Sequence, residues 1–181
     1  VSTVCNAKDF VAHRLTGVLV TDPSDASSTN AFDQGSGQWS DRVLEAAGID
    51  RSLMPQIVPS TTVIGTVTRA AANETGLLEG TPVVIGGGDG PIAAAGVGII
   101  NPSDGAYAYL GSSSWISLAS DRPLLDLPLM RTMTFNHVAA DRFVPTATMQ
   151  AGGGSLHWIA DLLAATDDSD RFSRLVADAD T

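Results

Sequence analysis

Asp89 is the acidic residue whose surroundings most suggest chemistry, because it ends a glycine run between a strand and a helix. Residues 86–89 follow an apolar stretch, and Pro91 comes just after them, where a helix begins. Glycine lets a ligand approach the backbone, and a helix N-terminus favours a carboxylate or a bound anion. An ionised acid there can accept the proton of a substrate hydroxyl during phosphoryl transfer. Composition alone favours the simpler alternative, in which Asp89 only caps the helix.

A second candidate is the run of Gly111, Ser112 and Ser113 between two predicted strands. A tight hairpin rich in hydroxyls presents N–H and O–H donors that suit phosphate oxygens. An ordinary Gly-Ser turn is the more frequent explanation of such a run taken alone. Trp115 occupies the position where a nucleophile elbow needs glycine, so nothing here supports a Ser-His-Asp triad.

The third candidate is the glycine run 152–154, which precedes an amphipathic helix. Such backbone can hold a phosphate or lie flat against a nucleotide. Gly153 and His157 are the residues of this segment that we consider for a ligand, although a surface position is the default for a histidine. Trp158 is expected in the core, because it recurs with Leu162 at a spacing of four residues.

The composition excludes several classes of function. The chain has 181 residues, 20 acidic against 10 basic, and a net charge of -10, which disfavours nucleic acids and anionic membrane surfaces as partners. Lys8 is the only lysine, so a Walker A loop is excluded, and the single Cys5 excludes a disulfide framework or a zinc cluster. The histidines are too dispersed for a metal motif. With neither a signal peptide nor an apolar run near 18 residues, we expect a cytoplasmic protein.

These candidates need elements to position them. In the first half the sequence predicts a helix over 7–15, capped by Asn6 and ended by Gly17. After it we expect a strand over 18–20, a loop over 21–38, a helix from Ser40 to Gly48, no regular structure over 54–60, a strand over 62–68, a helix over 69–75, a strand over 81–85 and a helix over 92–98.

The second half is predicted to be richer in strands. Residues 105–110 and 114–119 form one strand pair, and 130–138 and 142–149 form another. Pro145 makes the last of these an edge strand or an interrupted one. A helix over 155–165 follows, and residues 167–170 cap a final helix. The two halves meet near Ile100, where we place a domain boundary between 1–99 and 100–181.

Several segments, in this order, resemble one protein family. They are Lys8-Asp9-Phe10 through Arg14-Leu15-Thr16-Gly17 at a helix end, the segment 21–27, Phe32-Asp33, Trp39-Ser40, Pro59-Ser60 before the strand Val63-Ile64-Gly65, the glycine-Asp run 86–89, Leu110-Gly111-Ser112-Ser113, and 148–153 with Trp158. Each motif is weak, but their order and spacing together are specific. They resemble the FGGY family of carbohydrate kinases and, within it, most closely the xylulokinases.

The resemblance implies an α/β fold of two ribonuclease-H-like domains, the actin and hexokinase ATPase type, with the active site between them. Family members are more than twice as long as this chain, so it would be a middle segment. Residues 1–99 would be the C-terminal part of the N-terminal, sugar-binding domain. Residues 100–181 would be the N-terminal part of the C-terminal, nucleotide-binding domain. The Asp-x-Gly-Thr phosphate loop of the family does not occur in this sequence.

The resemblance also implies roles for residues of the three runs. Asp89 would be the general base that receives the proton of a sugar hydroxyl. The sugar would be bordered by Gly88, Asp89 and Gly90, and ATP by Gly111, Ser112, Ser113, Gly153 and His157. Magnesium would neutralise the phosphates, with ligands mainly from the nucleotide, from water and from loops outside this chain, so no residue here is assigned to it. The family's usual threonine is replaced by Ser112, which keeps the hydroxyl.

The expected reaction is ATP-dependent phosphorylation of D-xylulose to xylulose 5-phosphate. Many family members have Gln or Asn directly after the catalytic acid, whereas this chain has Gly90. That departure keeps ribulose, gluconate and glycerol open as substrates. The missing phosphate loop keeps open a non-catalytic relative or fragment, and the isolated segment is expected to be inactive. Sugar and ATP are the expected partners, with a homodimer as a candidate assembly and neither nucleic acid nor membrane.

Overall fold

Helices and short strands alternate along the first half, and a four-stranded sheet dominates the second. The computed structural model describes residues 2–127, 129–163 and 170–179. The elements are α1 Ala7–Thr16, β1 Val20–Thr21, α2 Pro23–Ala26, β2 Phe32–Asp33, β3 Gln38–Trp39, α3 Asp41–Ala47, β4 Gln56–Ile57, β5 Val63–Thr66, α4 Arg69–Thr75, β6 Pro82–Val84, α5 Asp89–Gly96, β7 Ala106–Leu110, β8 Ser114–Leu118, β9 Thr132–Asn136, β10 Phe143–Met149, α6 Gly153–Leu163 and α7 Arg171–Ala179. The mixed α/β class predicted from the sequence is confirmed.

Capping residues set the ends of the helices, as the sequence predicts. α1 follows Asn6, whose N–H donates to the Asp9 carboxylate at 3.1 Å, and it ends at Gly17 with φ 80°. Ser40 caps α3, and Gly48 ends it in the left-handed conformation. A side-chain acceptor at the start and a glycine past the end satisfy backbone groups that have no partner within the helix.

The predicted loop over 21–38 is wrong, because it contains α2 and the β2–β3 hairpin. Asp22 accepts the backbone N–H groups of Ser24 and Asp25, so these polar residues form a helix cap rather than an open loop. The prediction of no regular structure over 54–60 is also wrong. There β4 pairs in parallel with β1, with Val20 opposite Gln56.

Helix α5 begins three residues before the predicted start at 92. Gly88 is its N-cap and Asp89 its first residue. The carbonyl of Gly88 already accepts the Ile92 N–H at 3.0 Å, which makes the end of the glycine run part of the helix. The sequence places Pro91 at the first turn, and the structure has it there, buried.

The four-stranded antiparallel sheet has the order β7-β8-β10-β9. β10 is a central strand, so the prediction of an edge strand at Pro145 is wrong. The alternative prediction, a strand whose pairing is interrupted at Pro145, is right. Pro145 pairs with Thr134 of β9, whereas pairing with β8 starts only at Thr146. The missing N–H of proline therefore removes no bond of the β8–β10 ladder.

Helix α5 packs against this sheet. Ala94 and Ile99 share a buried apolar cluster with Ala119 and Val144. A further contact between the halves is made by Ser27, whose hydroxyl accepts the N–H of Asn136 at 3.0 Å. The boundary that we place near residue 100 lies between α5 and β7 and stays a prediction.

The expectation that Trp158 packs in the core is wrong. Trp158 and Leu162 are 66% and 64% exposed, although they share one face of α6. Among the described residues, α6 is hydrogen-bonded at its N-terminal end and contacts α7. No apolar side chains of the described residues cover the face with Trp158 and Leu162. The predicted helix residues 164 and 165 and the predicted cap residues 167–169 lie outside the described residues. None of the described helices has the length and apolar character needed to cross a membrane.

Candidate active site

The glycine run before Asp89 is tied to two loops of the first half. The N–H of Gly86 donates to the Ser60 carbonyl at 3.1 Å. The N–H of Gly88 donates to the hydroxyl oxygen of Ser24 at 3.0 Å. The backbone that carries Asp89 is therefore fixed on both sides of Gly87 before α5 begins.

Gly87 occupies a position with no room for a side chain. A Cβ built there would fall 2.5 Å from the Ser24 hydroxyl oxygen and would overlap a methyl group of Val138 even more severely. Ser24 belongs to α2 and Val138 follows β9, so the run is clamped between the first half and the sheet. This glycine is required by close packing.

Asp89 stands exposed at the start of α5. Its Oδ1 accepts the N–H of Gly90 at 2.8 Å. The first turn of a helix is an electrostatically favourable place for a carboxylate. An exposed carboxylate held in this way can accept a proton from a bound hydroxyl.

A pocket of about 350 Å³ opens beside Asp89, between α5 and the sheet. This volume is in the range of small-molecule sites. The rings of Tyr109 and Trp115 stack at 3.8 Å, and the hydroxyls of Ser117 and Thr146 are hydrogen-bonded at 2.8 Å. The full lining is Asp89, Gly90, Ala93, Tyr109, Trp115, Ser117, Met133, Phe135, Thr146 and Thr148. The pocket thus combines one acid with an aromatic wall and hydroxyl groups.

The structure brings the second and third candidate runs together. The N–H of Gly152 donates to the Ser112 carbonyl at 2.8 Å, and that of Gly153 to the Gly111 carbonyl at 2.7 Å. A Cβ on Gly153 would lie 2.8 Å from the same Gly111 oxygen. The glycine run therefore docks α6 onto the tip of the hairpin, and its N–H groups are donated to protein carbonyls rather than left for a phosphate.

The remaining candidate residues lie at different distances from the pocket. Ser112 is exposed at the tip of the hairpin, beyond Tyr109 and Trp115, and none of residues 111–113 lines the pocket. His157 is exposed on α6, with its ring edge-on to Phe172 at 4.8 Å. Of the residues predicted to contact ligands, Asp89 and Gly90 line the pocket, and Gly88 caps the helix that carries them.

A partly buried charged network, which the sequence-based predictions do not include, lies beneath the glycine run. Lys8 Nζ lies 2.7 Å from Asp9, 2.9 Å from Asp22 and 3.7 Å from Asp25. The sequence predicts a loop over the segment 21–27, so it does not place Asp22 and Asp25 beside Lys8. The one sequence signal for the network is that the only lysine of the chain is followed directly by an acid. Asp22 also accepts the hydroxyl of Ser24, so the network reaches the glycine run.

The network shifts two pKa values. Burial acts to lower the pKa of Lys8, but its hydrogen bonds with Asp9 and Asp22 outweigh this and raise it. Burial raises the pKa of Asp25, against the attraction of Lys8 and with added repulsion from Asp9 and Asp22. The cluster holds three carboxyl groups around one ammonium group, so Lys8 is the cation on which it depends.

No metal site is formed by the described residues alone. Within them there is no group of three or more His, Cys, Asp or Glu side chains placed to hold an ion. The donor set around Asp89 therefore does not fit a magnesium site by itself.

Comparison with known proteins identifies the first half directly. Residues 1–96 match the N-terminal domain of the FGGY family of carbohydrate kinases. An autoinducer-2 kinase from Yersinia enterocolitica is 33% identical over 166 residues, which are 91% of this chain and 31% of that protein. The chain thus spans about a third of the length of the curated relatives that it matches.

Solved structures give the same result. Xylulose kinase from Rhodospirillum rubrum superposes with a TM-score of 0.86 at 31% identity, over 98% of this chain and 36% of that one. Gluconate kinase from Lactobacillus acidophilus gives 0.85 at 24% identity, over 96% and 35%, which shows a shared fold. The expected ribonuclease-H-like fold of actin and hexokinase type is confirmed. The chain belongs to the FGGY family of carbohydrate kinases.

Proposed function

We propose that this chain is part of an ATP-dependent sugar kinase in which Asp89 is the general base. The observation that carries the proposal is the exposed Asp89 carboxylate, held at the N-terminus of α5 on the rim of a pocket of about 350 Å³. Membership of a carbohydrate kinase family supports it. Phosphoryl transfer depends strongly on the positioning of the attacking group, and a fixed acid at the edge of a pocket can position a hydroxyl and accept its proton.

In the proposed reaction Asp89 accepts the proton of a sugar hydroxyl as its oxygen attacks the γ-phosphorus of ATP, and ADP leaves. The Gly90 N–H holds Oδ1 of the carboxylate at 2.8 Å, so Oδ2 would be the oxygen that accepts the proton. Tyr109 and Trp115 would form an apolar wall that excludes water from the attacking oxygen. The clamp at Gly87 keeps this geometry fixed while the substrate binds.

The nucleotide is proposed to lie against the joint between the β7–β8 hairpin and α6. There the Ser112 hydroxyl, exposed at the tip, would donate to phosphate oxygens, with Gly111 and Ser113 beside it. Gly153 and His157 would border the nucleotide. Since the N–H of Gly153 is donated to the Gly111 carbonyl and a Cβ on Gly153 would meet the same oxygen, Gly153 would act by holding α6 on the hairpin beside the nucleotide. Magnesium would neutralise the phosphates and be held by groups outside the described residues.

The proposed sugar is D-xylulose, which would yield xylulose 5-phosphate. The Rhodospirillum rubrum xylulose kinase, at 31% identity and a TM-score of 0.86, supports this choice. Autoinducer-2 is the second candidate, because the curated relatives with about a third of positions identical are autoinducer-2 kinases. Gly90, where an amide side chain is common in the family, keeps ribulose, gluconate and glycerol as further alternatives.

We also propose that the chain is a middle segment of a longer enzyme, with residues 1–99 from the sugar-binding domain and 100–181 from the nucleotide-binding domain. Its coverage of 31% of a curated relative supports this organisation. The 181 residues alone would then be inactive, since the loop Asp-x-Gly-Thr is not among them. A cytoplasmic location, where ATP is available, and a homodimer complete the proposal.

The test is a coupled ADP-release assay on the whole protein with a panel of xylulose, ribulose, gluconate, glycerol and autoinducer-2. We expect xylulose to give the highest kcat/KM. If autoinducer-2 gives the highest kcat/KM, the proposed substrate is wrong but the kinase assignment stands. ADP release that no member of the panel raises above the rate with water would refute the kinase assignment.

A further inference from the structure

We propose that Ser24 is a positioning residue for Asp89, through a chain of hydrogen bonds from Lys8 to Asp22, Ser24 and the N–H of Gly88. The inference rests on the proposed function, because it concerns the geometry of the proposed general base. Ser24 does not line the pocket and touches no substrate there. It would act by fixing the backbone that carries the acid.

The geometry sets the direction of each bond. Lys8 donates to Asp22 at 2.9 Å, and the Ser24 hydroxyl donates to Oδ2 of Asp22 at 2.5 Å. A serine hydroxyl has a single hydrogen. With that hydrogen given to Asp22, its lone pairs are left to accept the Gly88 N–H at 3.0 Å. Asp22 therefore orients Ser24 as an acceptor aimed at the glycine run.

Burial makes the arrangement rigid. Asp22 is 0% exposed and Ser24 is 1% exposed. Water therefore has little access to the bond between these two side chains, and hydrogen bonds between charged and neutral groups are strong. Removal of the Ser24 hydroxyl would therefore leave the Gly88 N–H without an acceptor at this place.

The last step of the chain reaches Asp89 directly. Gly88 is the N-cap of α5 and Asp89 is the next residue, so a shift of Gly88 moves the carboxylate. Misplacement of a reacting group by about 1 Å can reduce a rate by about 100-fold. Val138 blocks movement of Gly87 toward the sheet, so a loop released from Ser24 would move away from the sheet or rotate.

Ser60 offers a matched control. Its hydroxyl also donates to Oδ2 of Asp22, at 2.6 Å, and it is 6% exposed. The Ser60 side chain makes no bond to Gly88, and its bond to Gly86 uses the backbone carbonyl. Ser24→Ala and Ser60→Ala thus each remove one buried hydroxyl from Asp22, but only Ser24→Ala removes the acceptor of Gly88.

The experiment compares both variants in the whole protein, well below their unfolding temperatures. We expect Ser24→Ala to lower kcat at least about tenfold, with the KM for ATP unchanged within about twofold. Ser60→Ala should keep kcat within about twofold. Should Ser24→Ala fail to fold, Ser24→Cys, with a weak donor and acceptor of similar size, should give an intermediate kcat. Equal kcat losses in the serine-to-alanine variants would overturn the inference.

Hydrogen exchange separates this inference from the proposed function. In the peptide 86–92, exchange of the Gly88 amide should accelerate at least about tenfold in Ser24→Ala and stay unchanged in Ser60→Ala. Unchanged exchange in Ser24→Ala would refute the inference whether or not the protein phosphorylates a sugar. Accelerated exchange in a protein without sugar kinase activity would support the hydrogen-bonded chain and refute the proposed function.

Discussion

Gly153 donates its N–H to the carbonyl oxygen of Gly111 across 2.7 Å, so the first residue of α6 is fixed to the tip of the β7–β8 hairpin. Ser112 accepts two more N–H groups from the same run, at 2.8 and 3.1 Å. Two glycine-containing segments that are about forty residues apart in the sequence thus form one joint. Any ligand at the hairpin tip would meet both.

Gly153→Ala should break this joint. Its Cβ would lie 2.8 Å from the Gly111 oxygen, which is backbone and has little freedom to move. We expect a loss of about 1–3 kcal/mol in the free energy of unfolding and a raised KM for ATP. Denaturant unfolding and steady-state kinetics measure the two effects. Gly96→Ala is the control, since a Cβ there meets nothing within 4 Å; equal behaviour of the variants would contradict the joint.

Gly87→Ala should destabilise the protein through contact with Val138. Overpacking of this kind costs about 1–3 kcal/mol. Val138→Ala removes the methyl groups that a Cβ on Gly87 would overlap, so the double variant should be more stable than the sum of the single effects by at least about 0.5 kcal/mol. Unfolding free energies of the four proteins in this cycle measure the coupling. Strict additivity would show that the clamp does not exist.

Lys8 should make the protein sensitive to alkaline pH. Burial acts to lower its pKa, but its hydrogen bonds with Asp9 and Asp22 outweigh this and raise the pKa above 10.5. When folding raises the pKa of a group, its protonated form stabilises the folded protein fully at pH values below the pKa of the unfolded state. This stabilisation is lost as the pH rises through the higher pKa of the folded state. The free energy of unfolding should therefore fall above pH 10.5.

Lys8→Arg tests this assignment, because a guanidinium stays protonated over the same range. From about pH 9 to 12 its free energy of unfolding should fall less steeply than that of the wild type. The two proteins are otherwise identical in sequence, so the comparison isolates the side chain at position 8. Parallel pH curves would mean that Lys8 is not the group responsible.

Trp115 should report occupancy of the pocket. It lines the pocket and stacks on Tyr109 at 3.8 Å, whereas Trp158 lies exposed on α6 and outside the lining. We expect sugar binding to change the tryptophan fluorescence of the whole protein, and Trp115→Phe to remove that change. Trp158→Phe should retain it. A ligand-dependent signal that survives Trp115→Phe would place the ligand elsewhere.

Local signals sufficed for much of the fold. Caps such as Asn6 and Ser40, and helix-ending glycines such as Gly17 and Gly48, act within a few residues, so the sequence alone located these ends. The hairpin around residues 111–113 is equally local. These predictions are confirmed because nothing distant in the chain changes them.

Long-range pairing explains the failures. β4 exists because it pairs with β1, some 36 residues away, and no local pattern at Gln56 indicates that. The hydrogen bond from Gly88 to Ser24 spans 64 residues, so Ser24 could not be recognised as part of the site from its own surroundings. The prediction for Trp158 is wrong because it relies on a local pattern alone. The spacing of Trp158 and Leu162 predicts a buried helix face, but the described residues do not cover that face.

The most direct test of the account is the kcat of Asp89→Asn in the whole protein, measured together with its ATP dissociation constant. Asp104→Asn is the control, since Asp104 is also an exposed acid, in the short 3-10 helix Pro102–Asp104, and lies outside the pocket. For Asp89→Asn we expect a kcat at least about 100-fold below that of the wild type and an ATP dissociation constant within about twofold, and for Asp104→Asn an unchanged kcat. A kcat for Asp89→Asn within about twofold of the wild type would contradict the assignment of Asp89 as the base.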